Sequence, residues 1–304
     1  MKESSEQGFT VIELLIATAM LLIILSAALS FFSRTQVVYT NERVTLDLVQ
    51  DMRTVFDRFT NEIRMAGAGL PAPRGVIEGT KTKLIVRGDF NNIATIITSD
   101  SPTTISGSTA TFSVGTTNGF ASGQTVSLLN NLTGMAALVK VKAVNATNKT
   151  ISVDKDDLFP LLSGAAITND STTSFPAGTI LNVIERRTYK VITEGDSIGA
   201  ITRTITYENT MTPGEVIQSE EVIARNVLDE NGNPGLTFTY FTDTGDLAVF
   251  EDGTINPSET VKVQIKLQAR SANRDLQTGK YRTFSYTSLV QVRGQYVPSV
   301  GHGH

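Results

Sequence analysis

Cysteine is absent from this 304-residue chain, which excludes disulfides and thiolate-held metals from its stability and its chemistry. Tryptophan is absent as well, and histidine occurs only as His302 and His304, in a C-terminal Gly-His-Gly-His tail. Catalysis by a nucleophile and a base would need a histidine, a lysine or an acid dyad gathered in a pocket, and the sequence offers no such constellation. The chain therefore reads as neither an enzyme nor a cofactor-binding protein. Two imidazoles on a tail have no fixed geometry for a metal, and residues 297–304 read as a flexible end. The formal net charge of −4 is too small an imbalance to point to nucleic acid. In one place charge is missing altogether: between Glu13 and Arg34, 20 consecutive residues carry none.

That gap is long enough for one helix across a ~30 Å hydrocarbon core. Glu13 stands at its front, where a carboxylate is expensive unless it is paired. If the chain is cut after Gly8, the new amino group of Phe9 lies about one helical turn from Glu13. The amine and the carboxylate could then neutralise each other in lipid, within one chain or between neighbours. A secretory signal peptide would show a basic n-region and a small-residue cleavage site after its apolar core. Here the candidate cut precedes the core. A plain signal anchor would explain the apolar run but not Glu13.

Gly8-Phe9-Thr10-Val11-Ile12-Glu13, followed at once by Leu14-Leu15-Ile16-Ala17, resembles the class III signal of type IV pilins and type II secretion pseudopilins. The resemblance implies that a prepilin peptidase cuts between Gly8 and Phe9 and methylates the Phe9 amine, and that Glu13 and Phe9 serve subunit assembly. The leader, residues 1–8, departs from the usual basic family leader in having one Lys against two Glu.

The helix is expected to continue past the apolar run, because residues 34–66 contain neither proline nor glycine. Val44, Leu48, Met52, Val55, Phe59, Ile63 and Ala66 recur at spacings of 3 and 4 and form one apolar face. Arg43, Asp47, Gln50, Asp57, Asn61 and Glu62 lie mostly off that face. Gly67, Gly69, Pro71 and Pro73 then end the helix. From Phe9 to Ala66 it would run about 87 Å.

Beyond Pro73 the hydrophobic period becomes 2, as expected of antiparallel strands with one wet face. Val261, Val263, Ile265, Leu267 and Ala269 alternate with Lys262, Gln264, Lys266, Gln268 and Arg270. Further strands are expected at 83–87, 180–192, 200–207, 215–224, 236–240 and 282–292. Short apolar runs at 110–114, 126–129, 138–144 and 151–153 sit in a stretch rich in Ser, Thr, Asn and Gly. That stretch, 100–178, reads as an inserted, exposed small β module. Its Asn131, Asn145 and Asn148 match a glycosylation acceptor pattern but read as polar turns. Asp229-Glu230-Asn231-Gly232-Asn233 faintly resembles a calcium loop, lacks the full ligand set and reads as a tight turn. The acidic cluster Asp243, Asp246, Glu251 and Asp252 is read the same way.

The expected fold class is thus α+β: a long N-terminal helix, half membrane and half amphipathic, packed on an antiparallel sheet. Residues 9–33 form the transmembrane or filament-core segment and 34–70 the amphipathic half. Residues 71–99 and 179–296 form the β head, with 100–178 inserted.

Gln50 to Phe59 and Glu62-Ile63-Arg64-Met65-Ala66-Gly67, with 215–226 and 236–242 further on, resemble the PilW class of minor pilins and, more loosely, the J-type pseudopilin. Many relatives of that class carry cysteines near the helix end, and this chain has none. The resemblance implies a structural subunit acting in pilus assembly or initiation, with a role in adhesion or motility. It would be held as a single-pass protein in the bacterial inner membrane, and then sit in the filament, the periplasm and the cell surface. Implied partners are the major pilin, other minor pilins, the prepilin peptidase, the inner-membrane assembly platform and a tip adhesin. A type II secretion pseudopilin and a major pilin remain open alternatives.

Overall fold

A computed structural model of the chain describes residues 10–71, 75–99, 104–161, 175–194, 198–207, 216–229, 231–249, 255–257, 259–275 and 278–292. The leader, Phe9, Glu251, Asp252 and the tail with His302 and His304 lie outside the described residues. The fold is α+β, with one long N-terminal helix and a large antiparallel β domain. The helix, α1, spans Val11–Met65. The strands are β1 (Val76–Gly79), β2 (Lys83–Gly88), β3 (Ala94–Ile96), β4 (Thr104–Ser106), β5 (Thr109–Ser113), β6 (Thr125–Asn130), β7 (Met135–Asn145), β8 (Thr150–Asp154), β9 (Phe159–Pro160), β10 (Ile180–Glu194), β11 (Ile198–Tyr207), β12 (Val216–Arg225), β13 (Leu236–Phe241), β14 (Lys262–Arg274) and β15 (Tyr281–Gln291). The chain divides into two compact units: the helix up to Gln50 with Ser271–Arg282, and Asp51–Arg270 with the segment from Thr283 on.

In the larger unit, twelve strands share one sheet in the order β1-β2-β10-β6-β7-β8-β5-β4, with β3, β11 and β12 joined through β10, and β9 on β7. β10 explains this layout. Its first residues, 180–184, pair with β6 and β3, while 185–190 pair with β2 and 186–194 with β11. One long strand therefore belongs to two neighbourhoods. The second sheet has the order β13-β14-β15. Along β14 the expected alternation holds: Val263, Ile265, Leu267 and Ala269 are buried, as is Val261 just before it, while the residues between them are half-buried or exposed.

The helix buries Met52, Phe56, Phe59 and Ile63, spaced 4, 3 and 4 apart, with Ala66 just beyond its end. This corrects the expected stripe. Val44 is exposed, Leu48 and Val55 are half-buried, and Phe56 takes an inward place. Residues 55 and 56 flank the same helical stripe, and the larger ring goes inside, 5.7 Å from the ring of Tyr286 on β15. The Phe59 ring lies 4.6 Å from that of Tyr189. The face is therefore shared: Phe56 meets β15, in the sheet that also holds β14, and Phe59 meets β10 of the larger sheet. Gly67 and Gly69 carry positive φ, 86° and 74°, and turn the chain out of the helix as glycine allows.

The segment expected to be an exposed module is instead built into the larger sheet. β6 pairs with β10 over 180–184. Phe112, Val126, Leu128, Val139 and Ile151 share one buried cluster with Ile97, Leu181 and Val183, which lie outside the 100–178 stretch. The Ser127 hydroxyl donates to the Gly69 carbonyl at 2.7 Å, tying β6 to the segment just after the helix. β10 is 15 residues long and overshoots β2, so its leading end needs these partners. Asn131 lies in the β6–β7 turn, and Asn145 and Asn148 flank the β7–β8 turn, where Asn145 Oδ1 accepts from the Asn148 N–H at 3.0 Å.

Phe59 is 1 % exposed, so Phe59→Ala is expected to lower stability by about 3–5 kcal/mol. Val44→Ala, at an exposed position, is expected to change it by less than about 0.5 kcal/mol. Denaturant unfolding of the detergent-solubilised chain checks the contrast.

Candidate functional site

The start of α1 is built by a short local code. The Thr10 N–H and hydroxyl donate to Glu13 Oε2 at 2.9 and 3.0 Å, and the Glu13 N–H donates to Thr10 Oγ1 at 3.3 Å. This is a reciprocal capping box, which satisfies two otherwise orphan donors at the helix N-terminus. Within the described residues the partner of Glu13 is thus Thr10, in addition to the Phe9 amine that the motif suggests. The signal was present in the Thr-x-x-Glu spacing. Gly8 and Phe9 lie outside the described residues.

From Thr10 to Gln36 every residue is exposed. The apolar side chains among them are bare, from Val11 at 78 % to Leu25 at 50 %. The helix is long and apolar enough to cross a membrane, with a mean hydropathy of 2.5 over its most apolar window. Two of its hydroxyls turn inward to the helix backbone: Thr18 donates to the Leu14 and Leu15 carbonyls at 3.0 Å, and Ser26 to Ile23 at 2.9 Å. Such bonds leave an outer surface that asks nothing of a hydrocarbon solvent.

The second concentration of polar chemistry lies where the far end of α1 meets the larger sheet. Period 2 along β10 sends Glu185, Arg187 and Tyr189 to one face, and the register places Arg203 of β11 opposite Tyr189. Glu62 of α1 enters this group. Its Oε1 lies 2.7 Å from Arg203 Nη1, 3.0 Å from Arg187 Nη1 and 3.3 Å from Arg58 Nε. The Tyr189 hydroxyl donates to Glu62 Oε2. Arg187 also holds Glu185 through Nε and Nη2 at 3.1 and 2.8 Å, and its guanidinium lies 4.2 Å from the centre of the Phe90 ring. Glu221 of β12 reaches Arg203 at 3.0 Å and Arg58 at 2.8 Å. Three arginines thus face three glutamates. Glu62, Glu185, Arg187 and Arg203 are buried. A cavity of about 460 Å³ opens beside them, lined in part by Asn61, Met65, Phe90 and Asn91. The sequence placed Glu62 off the buried face. It is buried because its partners, distant in sequence, convert a solvation loss into an ion-pair network. The arrangement fixes helix to sheet by charge.

The remaining candidates resolve into local structure. Asp229 Oδ1 accepts from the Asn231 and Asn233 N–H groups at 2.9 and 2.8 Å, and Oδ2 accepts from Asn233 Nδ2 at 3.0 Å. Those bonds from Asn233 hold the Asp229 carboxyl below its ordinary value and make the loop a tight turn. Asp246 accepts from the Thr244 hydroxyl at 2.7 Å, and the Asp243 carbonyl accepts from Lys262 Nζ at 2.7 Å. Among the described residues, no group of three or more His, Asp or Glu side chains is placed to hold a metal ion. Asp89, at the end of β2, is buried, and burial raises its carboxyl above the usual aspartate value. N–H groups of Ile93, Asn92 and Asn91 oppose that rise, and nearby Glu185 adds to it.

Comparison of this chain with protein-family models, with curated proteins and with solved structures found no match.

Two measurements test the electrostatics. Glu62→Ala leaves Arg187 and Arg203 short of a buried partner and is expected to destabilise by about 3–5 kcal/mol. Arg58→Ala, at a half-exposed site, is expected to lose less than about 1 kcal/mol. The native state holds the Asp89 proton more tightly than the unfolded chain does. Stability therefore falls as pH rises from the ordinary aspartate range through the raised native value. Asp89→Asn is expected to remove that part of the slope, read from urea midpoints across a pH series.

Proposed function

We propose that this chain is a minor pilin: a structural, non-catalytic subunit of a bacterial type IV pilus. The observation that carries the reading is the Gly8-Phe9-Thr10-x-x-Glu13 motif, placed directly before a helix whose first half is bare and apolar on every side. A helix of this kind has two solvents available to it, lipid and other helices like it. Held in the inner membrane, it is a single-pass anchor. Released into a filament, it packs against the corresponding helices of the major pilin and other minor pilins. That packing rests on close van der Waals contact rather than on escape from water.

Glu13 gives the transfer its specificity. In the single chain its carboxylate is held by Thr10. In the filament it would meet the methylated Phe9 amine of a neighbouring subunit, after cleavage between Gly8 and Phe9 by a prepilin peptidase. An amine buried in the filament core is satisfied only by a subunit that brings this carboxylate. The β domain would then decorate the filament or its tip, where adhesion or motility is served. A J-type pseudopilin of type II secretion shares the same motif and differs in where its filament ends.

Glu13→Ala, expressed in cells lacking the native copy, is expected to leave the leader cleaved and the β domain as stable as before. Its amount in sheared filaments is expected to fall at least tenfold, consistent with the loss of about 3–5 kcal/mol for one partner of a buried pair. Glu13→Gln is expected to behave nearly as badly. Quantitative mass spectrometry of purified filaments reads the outcome. Wild-type levels of either variant would remove the role given to the carboxylate, and recovery of the wild type from the periplasm alone would favour the secretion pseudopilin.

A further inference from the structure

The second sheet ends in a strand whose outer edge carries no guard. In the order β13-β14-β15, β15 pairs with β14 on one side and, among the described residues, with no strand on the other. It is 11 residues long. Within it, Thr283–Gln291 has no charge, no proline and no glycine. Such an edge offers a row of backbone N–H and C=O groups to a further strand, which is why edges are normally short, bulged, charged or covered.

The other edges of the two sheets are protected in those ways. β1, β3, β4 and β9 have four residues or fewer. β12 has two register shifts and carries Glu220 and Glu221. β13 is covered: the Phe238 N–H donates to the Lys81 carbonyl at 2.8 Å, and Phe241 bridges to Leu247. The side chains also mark β15 as open. Facing the core, Val263, Ile265 and Leu267 of β14 are at most 1 % exposed, whereas Phe284, Tyr286 and Ser288 of β15 are only half-buried. On the opposite face Thr283, Ser285, Thr287, Leu289 and Gln291 are exposed.

The uncharged run is complementary to itself. Thr287 is its midpoint. A two-fold antiparallel pair centred there sets Phe284 against Val290 of the second copy, Tyr286 against Ser288, Ser285 against Leu289 and Thr283 against Gln291. The first of these is an aromatic–β-branched pair, of the kind that stabilises antiparallel ladders. No like charges meet, because Arg282 falls opposite Val292. A parallel pair in register would instead set Arg282 beside Arg282. Nine paired residues on each strand give about 8–10 hydrogen bonds between the copies, close to the roughly 10 of a typical specific interface.

We propose that two copies of this chain associate through β15, by antiparallel pairing of Thr283–Gln291 about a two-fold axis at Thr287. The three-stranded sheet then continues into that of the second copy. The proposal goes beyond the pilus reading and does not depend on it.

The test uses the full chain, solubilised in density-matched detergent. In sedimentation equilibrium the wild type is expected at twice the 32.8 kDa of one chain. Thr287→Lys, at an exposed position, sets two ammonium groups face to face. It is expected to sediment as a single chain, with an unchanged circular dichroism spectrum. Because the chain has no cysteine, a second readout comes without background. Residues directly opposite in an antiparallel pair have Cα atoms about 4.5–5.5 Å apart, within the span of a disulfide. Under a mild oxidant, Thr287→Cys is expected to cross-link two chains at least tenfold faster than Thr283→Cys, which faces Gln291 of the second copy. A wild type that sediments as a single chain overturns the proposal. So does a dimer that survives Thr287→Lys, which would place the contact on the bare helices, and so does equal cross-linking at the two positions.

Discussion

Among the described residues, nothing covers α1 from Val11 to Gln36, and this bare surface is the constraint the rest of the helix answers to. Each large apolar side chain left in water forgoes about 1.5–3 kcal/mol of burial, and the bare surface runs without a break from Val11 to Phe32. Such a helix must be covered by lipid or by its own kind. The local chemistry agrees with that requirement. Thr18 and Ser26 bond back to carbonyls of the preceding turn, and the Glu13 carboxylate is tied to the helix start by Thr10.

From Asp51 on, the same helix answers to a different solvent. Met52, Phe56, Phe59 and Ile63 give it an apolar face, and Glu62 sits beside them in a setting that would be prohibitive without Arg187, Arg203 and Tyr189. A buried ion pair contributes little to stability against an apolar alternative, yet removing one partner is severe. Its use here is orientation. An apolar face can slide or rotate by a few degrees on a sheet at small cost, whereas a carboxylate held by two guanidinium groups and a phenol cannot. The network thereby fixes which helical phase meets β10 and β11, and through β10 it reaches the strands of the inserted segment.

How much of this the sequence disclosed depended on how local the determinant was. β14 was legible almost residue by residue, because an antiparallel strand with one wet face writes its pattern in alternation. The length of α1 was legible from the absence of glycine and proline before Gly67. The buried stripe keeps Met52, Phe59, Ile63 and Ala66 of the periodic pattern and takes Phe56 in place of Val55, a choice to which the distant Tyr286 ring contributes. The period places Glu62 off the apolar face and cannot show its burial, because nothing nearby in sequence announces Arg203, 141 residues away. The stretch 100–178 reads as an exposed module for the same reason. Its polar composition described its outer residues, while the pairing of β6 with β10 is a long-range fact. The Thr10–Glu13 box is local, and its signal is the Thr-x-x-Glu spacing at the helix start.

The central proposal is that the bare helix begins at Phe9 after a cut between Gly8 and Phe9, and passes from the membrane into a filament. The most direct test is the mass and N-terminal sequence of the chain recovered from sheared, washed filaments. The account predicts a mature chain that begins at Phe9, with its amine methylated and residues 1–8 gone. A filament-associated chain that still begins at Met1 or Lys2 would contradict it.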